Sequence, residues 1–162
     1  MGGAAITGQS GHVNEGVRVG GITIVQRVDE ILDRVQEFDF DAVLELFADD
    51  GCLELPYRPG GYPTVMAGRA ELKRFLRVIP KLYAEVTFVE RNHLPTSDPA
   101  TVVTEYRGVG KTCVGNDYAN RYIALFEFDD SGRCTLWREY FDPTVVTAAL
   151  TPAGRGDEAS RG

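Results

Sequence analysis

The chain reads as an α+β domain, with helices first and an antiparallel meander of strands after them. Apolar residues recur at helical spacing between Val25 and Phe38. From about Val86 the chain changes to short runs rich in Val, Thr, Tyr and Phe, separated by turns. The closing run Leu136-Trp137-Arg138-Glu139-Tyr140-Phe141, read as a strand, puts Trp137, Glu139 and Phe141 on one face. Leu136, Arg138 and Tyr140 then share the other.

In the first helix Val25, Val28, Ile31, Leu32, Val35 and Phe38 form the apolar stripe, with charged residues between them. Asp39 or Asp41 can cap a second, shorter helix through Val43, Leu44 and Phe47, which Asp49-Asp50-Gly51 ends. Cys52–Leu55 reads as a short strand. The following Pro56–Pro63 loop is too rich in Pro and Gly for regular structure; with Tyr57, Arg58 and Tyr62 it can serve as a flap or simply as a connection. A third helix starts near Arg69, carries Leu72, Phe75, Leu76 and Ile79 on one face, and has Pro80 near its end. Strands follow at Val86–Glu90, Thr101–Val109, Tyr118–Phe128 and Cys134–Phe141. Turns at Pro95–Pro99 and Asp129–Gly132 separate them. The expected plan is three N-terminal helices closing one side of a curved, mainly antiparallel sheet. One domain spans 21–150, between flexible tails at 1–20 and 151–162.

Composition narrows the function. A 43% hydrophobic share over 162 residues is enough for a full core. A net charge of −7 and the lack of a basic cluster argue against nucleic acid and anionic membrane surfaces. Cys52, Cys113 and Cys134 are an odd number without paired spacing, so they read as reduced thiols in a cytoplasmic protein. No apolar run reaches membrane-spanning length, and the N-terminus lacks the apolar block of a signal peptide. Gly108-x-Gly110-Lys111 is no phosphate loop, because no helix follows it. No metal-ligand spacing is present, so neither metal nor cofactor is expected. Tyr118–Phe128 is apolar on both faces, and three helices can cover only one. The other face is therefore expected to meet a second copy, giving a homodimer.

Glu139 is the unusual residue. A carboxylate between two aromatic rings on a buried face has a partner or holds its proton tightly, as a general acid/base must. The same pattern also fits an edge-strand Glu that points to water. Trp137, Phe126, Phe141 and Tyr122 are candidates to line a pocket for a cyclic or polyene ligand, although each also fits plain core. Tyr57 on the loop and His93 at a strand end are further candidates.

The closing motif Trp137–Pro143, the Phe47–Gly51 helix end and the Gly68-Arg69 helix start resemble the NTF2-like superfamily. Within it, SnoaL-like polyketide cyclases and phenazine-biosynthesis A/B-type proteins are the most similar. The resemblance covers roughly residues 22–150. It implies a cone-shaped α+β barrel around an apolar pocket, commonly dimeric. Ketosteroid isomerase of this fold has catalytic groups where this chain has Leu55, Ile31 and Ala124, so that mechanism does not carry over. In limonene epoxide hydrolase the catalytic Asp matches Glu139. Its Arg-x-Asp pair meets Glu105-Tyr106-Arg107 in reversed order, and its water-holding residues meet Leu53 and Leu55. The acid/base Glu of the phenazine proteins matches Glu139.

Alternation along Thr101–Val109 puts Val103, Glu105, Arg107 and Val109 on one face, and the resemblance implies that this is the pocket face. Glu139, Glu105 and Arg107 are thus the expected catalytic group, with Glu139 as proton shuttle and Arg107 orienting Glu105 or a ligand oxygen. A buried Arg–Glu bridge between strands is the competing reading. The expected function is a cofactor-independent cyclase or isomerase of natural-product biosynthesis. Alternatives are an epoxide-opening cyclase or epoxide hydrolase, and a non-catalytic small-molecule carrier or assembly partner.

Overall fold

A computed structural model describes residues 18–153 except Gly20. Most of both expected tails, residues 1–17 and 154–162, therefore lie outside it. Arg18–Val19 (β1) pairs with Ile22–Thr23 (β2). Helix α1 (Ile24–Gln36) opens on a capping box: the Thr23 hydroxyl accepts from the Gln26 N–H at 3.2 Å, and the Gln26 side chain accepts from the Thr23 N–H at 2.9 Å. Ile24, Val28, Ile31, Leu32 and Val35 form its buried stripe. Phe38 lies past the helix, at the left-handed turn into α2 (Phe40–Glu45). Asp39 caps α2 by accepting from the Ala42 N–H at 3.2 Å.

Two expected boundaries are corrected here. Helix α2 ends at Glu45, and Phe47 and Asp49-Asp50-Gly51 belong to strand β3 (Phe47–Glu54). Gly51 is not a helix terminator. It sits where the pairing register of β3 shifts, and a Cβ there would come within 2.8 Å of the Cys134 carbonyl oxygen. The third helix is two helices, α3 (Arg69–Leu76) and α4 (Ile79–Leu82). Pro80 has no N–H to continue α3, but its fixed φ suits the first turn of α4. Among the described residues four helices, not three, thus precede the long strands.

β5 (Tyr83–Pro95), β6 (Thr101–Thr112), β7 (Asp117–Phe128) and β8 (Cys134–Phe141) form the expected meander. β3 and the short β4 (Val65–Ala67) extend it to six strands in the order β4-β3-β8-β7-β6-β5. Only the β3–β8 pairing is parallel. A helix that was not expected, α5 (Pro143–Leu150), follows β8. Its start was readable: Asp142 caps it by accepting from the Thr144 N–H at 2.8 Å, and Pro143 takes the first position.

The helices cover one face of the sheet, and there Val102, Thr104, Tyr106, Ala124, Phe126 and Trp137 are buried. A register shift in β5 between Val89 and Asn92, with Glu90 at φ 53°, changes which residues face α1. Val86 and Phe88 face inward before the shift, Arg91 and His93 after it. Arg91 then donates to Asp29 (3.0 Å) and Asp33 (2.7 Å) of α1. His93 bonds Asp29 (3.2 Å) and Thr104 (3.0 Å). These contacts hold α1 against β5 and β6. The opposite face of the sheet carries Ile123, 49% exposed, beside Leu125, Glu105 and Arg107. Among the described residues no helix is long and apolar enough to cross a membrane.

Candidate active site

Between the sheet and α1, α3, α4 and α5 lies a cavity of about 120 Å³. Strand alternation builds the sheet face beneath it, of which Trp137, Glu139, Phe141 and Tyr122 line the cavity. Trp137, Glu139 and Phe141 of β8 lie side by side with Phe126, Ala124 and Tyr122 of β7, in that order. The next strand adds Val102, Thr104 and Tyr106 in register. Leu53 and Leu55 come from β3, and Val35, Phe75, Leu76 and Val146 from the helices. Tyr62 and Pro59 of the Pro56–Pro63 loop reach the same space.

Glu139 lines this cavity and is partly buried. The Tyr106 hydroxyl donates a short hydrogen bond to Glu139 Oε1 from the diagonal position two strands away. Ala124, small and fully buried between the strands, leaves that diagonal open. Loss of water pushes the Glu139 pKa up to about 7, although the Tyr106 hydroxyl and the Trp137 indole favour the charged form. The indole N–H is buried beside the Glu139 and Tyr106 oxygens, its nearest acceptors, without meeting either at ordinary hydrogen-bond geometry. Tyr118 and Tyr122 share a short hydroxyl–hydroxyl hydrogen bond, with Tyr83 packed edge-on to Tyr118 at 4.9 Å. Burial raises the pKa of all four phenols, Tyr83, Tyr106, Tyr118 and Tyr122, so all are neutral donors near neutral pH.

Gly108 makes part of this arrangement possible. A Cβ at that position would meet the Tyr122 ring at 2.9 Å. Without one, Tyr122 lies flat on Tyr106, with ring centroids 5.0 Å apart and planes 6° from parallel.

Of the expected residues, the structure brings together Glu139, Trp137, Tyr122 and Phe141. Glu105 and Arg107 are not with them, and their expected placement is corrected. The even positions of β6 lie on the buried, helix-covered side of the sheet, so Glu105 and Arg107 point out on the other side. There Asn92 donates to Glu105 at 3.3 Å, and Arg107 pairs with Glu90 at 2.6 Å. The strand itself carries the signal: Val102, Thr104, Tyr106 and Gly108 are uncharged, whereas the odd positions hold both charges. Phe126 is not on the cavity wall. It is fully buried behind Trp137, with ring centroids 5.3 Å apart. His93 is taken up by Asp29 and Thr104 under α1. Tyr57 is 64% exposed and packs on Tyr140 instead. Sequence reasoning missed Tyr83 and Tyr118, which line the cavity, and Tyr106, which meets Glu139; Tyr62, noted on the loop as part of a possible flap, lines the cavity as well. Among the described residues no cluster of His, Cys, Asp and Glu could hold a metal ion.

A family model described as a SnoaL-like domain matches residues 28–137. The chain belongs to the SnoaL-like family. An uncharacterized PhzA/B-like protein of Pseudomonas aeruginosa is 32% identical over 107 residues, covering 65% of this chain and 74% of that protein. The epoxide hydrolase EphG of Mycobacterium tuberculosis is 32% identical over 116 residues, covering 71% of this chain and 70% of that protein. The crystal structure of a phenazine biosynthesis-related protein from Pseudomonas aeruginosa superposes with a TM-score of 0.66. It is 22% identical and covers 98% of this chain and 97% of its own, a likeness that speaks to the fold. The SnoaL-like chain thus has an α+β, NTF2-like fold with a mainly antiparallel six-stranded sheet.

Proposed function

We propose that this SnoaL-like protein is a cofactor-independent cyclase or isomerase that moves protons through Glu139. The observation that carries the reading is a carboxyl inside an apolar cavity, one oxygen held by Tyr106, titrating near neutrality. Protonated, it donates from its free oxygen to a developing alkoxide or enolate; ionised, it takes a proton from carbon. Tyr106 stabilises the carboxylate left behind, so neither protonation state is out of reach. Glu105 and Arg107 have no part in this reading.

Relatedness to an epoxide hydrolase favours a second reading, in which Glu139 protonates an epoxide oxygen and an internal hydroxyl of the substrate opens the ring. Leu53 and Leu55 line the cavity where a hydrolytic water would need polar anchors, which favours cyclisation over hydrolysis.

Turnover of the true substrate is expected to follow one ionisation near pH 7. Tyr106→Phe removes a donor to the carboxylate and so is expected to move that midpoint upward by about one unit. A flat pH profile, or a midpoint indifferent to Tyr106, ends the proposal.

The homodimer belongs to the same reading. Ile123 and Leu125 lie on the sheet face that none of the described helices covers. Sedimentation is expected to give a dimer at micromolar concentration, and Ile123→Glu to shift it toward monomer. A wild-type monomer would contradict this.

A further inference from the structure

Tyr106 stands on β6, yet its hydroxyl donates to Glu139 on β8, so its side chain reaches past the strand between them. Ala124 leaves that route open, but an open route does not hold a ring in place. Tyr122, in register with Tyr106 on β7, supplies the hold by lying flat on its ring. Phe88 stands edge-on to both, with ring centroids 5.4 Å from Tyr106 and 6.2 Å from Tyr122. The Tyr122 ring is itself fixed from several sides. Its hydroxyl is bonded to that of Tyr118, and the Phe141 ring is 5.7 Å away. On a further side lies Gly108, where a Cβ would come within 2.9 Å of the Tyr122 ring and 3.5 Å of Phe88. Gly108 is not among the glycines with a left-handed backbone, so what the position requires is the space and not the conformation.

We propose that Tyr122 is a positioning residue: seated in the space that Gly108 leaves, its ring holds the Tyr106 hydroxyl on Glu139 and so fixes the orientation in which the carboxyl meets a guest. The proposal rests on the reading of Glu139 as a proton carrier and extends it to what holds the carboxyl's partner. The titratable groups around Glu139 are all phenols: Tyr106 from β6, Tyr118 and Tyr122 from β7, Tyr83 from β5 and Tyr62 from the Pro56–Pro63 loop. No Arg, Lys or His lines the cavity, and the helices turn apolar side chains to it. Those phenols stay neutral near pH 7, so among them it is the Tyr106 hydrogen bond whose loss a titration of Glu139 reads.

The measurement needs no substrate. The Cδ signal of Glu139 in ¹³C-labelled protein, identified by its absence in Glu139→Gln, is followed through pH. Tyr106→Phe is expected to raise its midpoint by about one unit in the otherwise wild-type protein. In Gly108→Ala the added methyl displaces the Tyr122 ring, and the midpoint is expected to rise toward that of Tyr106→Phe. In Tyr122→Leu the ring is gone. Added to either of these substitutions, Tyr106→Phe is expected to move the midpoint by less than about 0.3 unit, because the hydrogen bond it removes is already lost. Tyr122→Phe keeps the ring and its stack, so there Tyr106→Phe is expected to keep its full effect.

A folded Gly108→Ala protein with the wild-type midpoint overturns the positioning role. Whether or not that variant folds, a Tyr106 effect that survives in Tyr122→Leu overturns it too. So does loss of the effect in Tyr122→Phe, which would assign the hold to the hydroxyl bond with Tyr118 and not to the ring. If turnover proves independent of pH while the Cδ midpoints behave as expected, the acid/base reading fails and the positioning stands. If turnover follows Glu139 but the two substitutions act additively, the positioning alone fails.

Discussion

Glu139→Gln is expected to lower turnover by about a hundredfold to ten-thousandfold while making the protein more stable at pH 8. The first effect follows from the role: an amide fills the same space and accepts from Tyr106, but it cannot donate and recover a proton, and general acid/base catalysis contributes about that factor. The second follows from burial. In the unfolded chain Glu139 ionises at its ordinary pKa of 4.5, and in the fold at about 7. Below pH 4.5 both states hold the proton, and the carboxyl costs the fold nothing. Between 4.5 and 7 only the unfolded chain lets it go, so stability falls as the pH rises, and above 7 the full penalty applies. That penalty is at most about 3 kcal/mol, with the surface open to the cavity reducing it. Urea unfolding at pH 4 and pH 8 measures it. The variant and the wild type are expected to match at the acid end and to separate, with the variant more stable, at the basic end. No separation at pH 8 would mean that Glu139 is well hydrated. The opposing signs matter, because a variant that is inactive through misfolding cannot also be the more stable one.

Much of the architecture was legible in the sequence because it rests on periodicity and caps. The α1 stripe, the Asp39 cap and the paired faces of β7 and β8 follow from side-chain direction alone. What was not legible depends on how segments meet. That Gly51 allows close contact with Cys134 rather than ending a helix is decided by β8, some eighty positions later. The Glu90 bulge, which turns His93 toward Asp29, follows from pairing with β6 and not from local composition. In the site, Glu139 stood out because it violates the apolar pattern of its face. Tyr106 did not, because a tyrosine on a strand is unremarkable until its partner is known. The misplacement of Glu105 and Arg107 has a different origin. The resemblance implies that the odd positions of β6 face the pocket, whereas the strand's own alternation keeps its even positions uncharged and its charges on the opposite face.

Phe126→Ala separates a cavity wall from its support. If Phe126 touched the guest, truncating it would weaken binding and leave the fold nearly intact. The structure places it instead behind the wall, fully buried, stacked on Trp137 at 5.3 Å and near-parallel to Phe128 at 6.5 Å. Its neighbours in register are Val102 and Trp137 on the adjoining strands. The substitution is expected to cost about 3–5 kcal/mol, a large part of the 5–15 kcal/mol typical of a domain. Phe126→Leu, which keeps most of the volume, is expected to cost about half as much or less. Because Trp137 leans on this ring, its fluorescence, the only tryptophan emission of the protein, is expected to change in the folded Phe126→Ala variant even without ligand. Tyr122→Phe serves as the contrast. It leaves the stack on Tyr106 intact and removes the hydroxyl bonded to Tyr118, so it is expected to cost only about 1–3 kcal/mol, less than Phe126→Ala. A Phe126→Ala protein that unfolds at the wild-type urea concentration would place that ring on the guest's side of the wall.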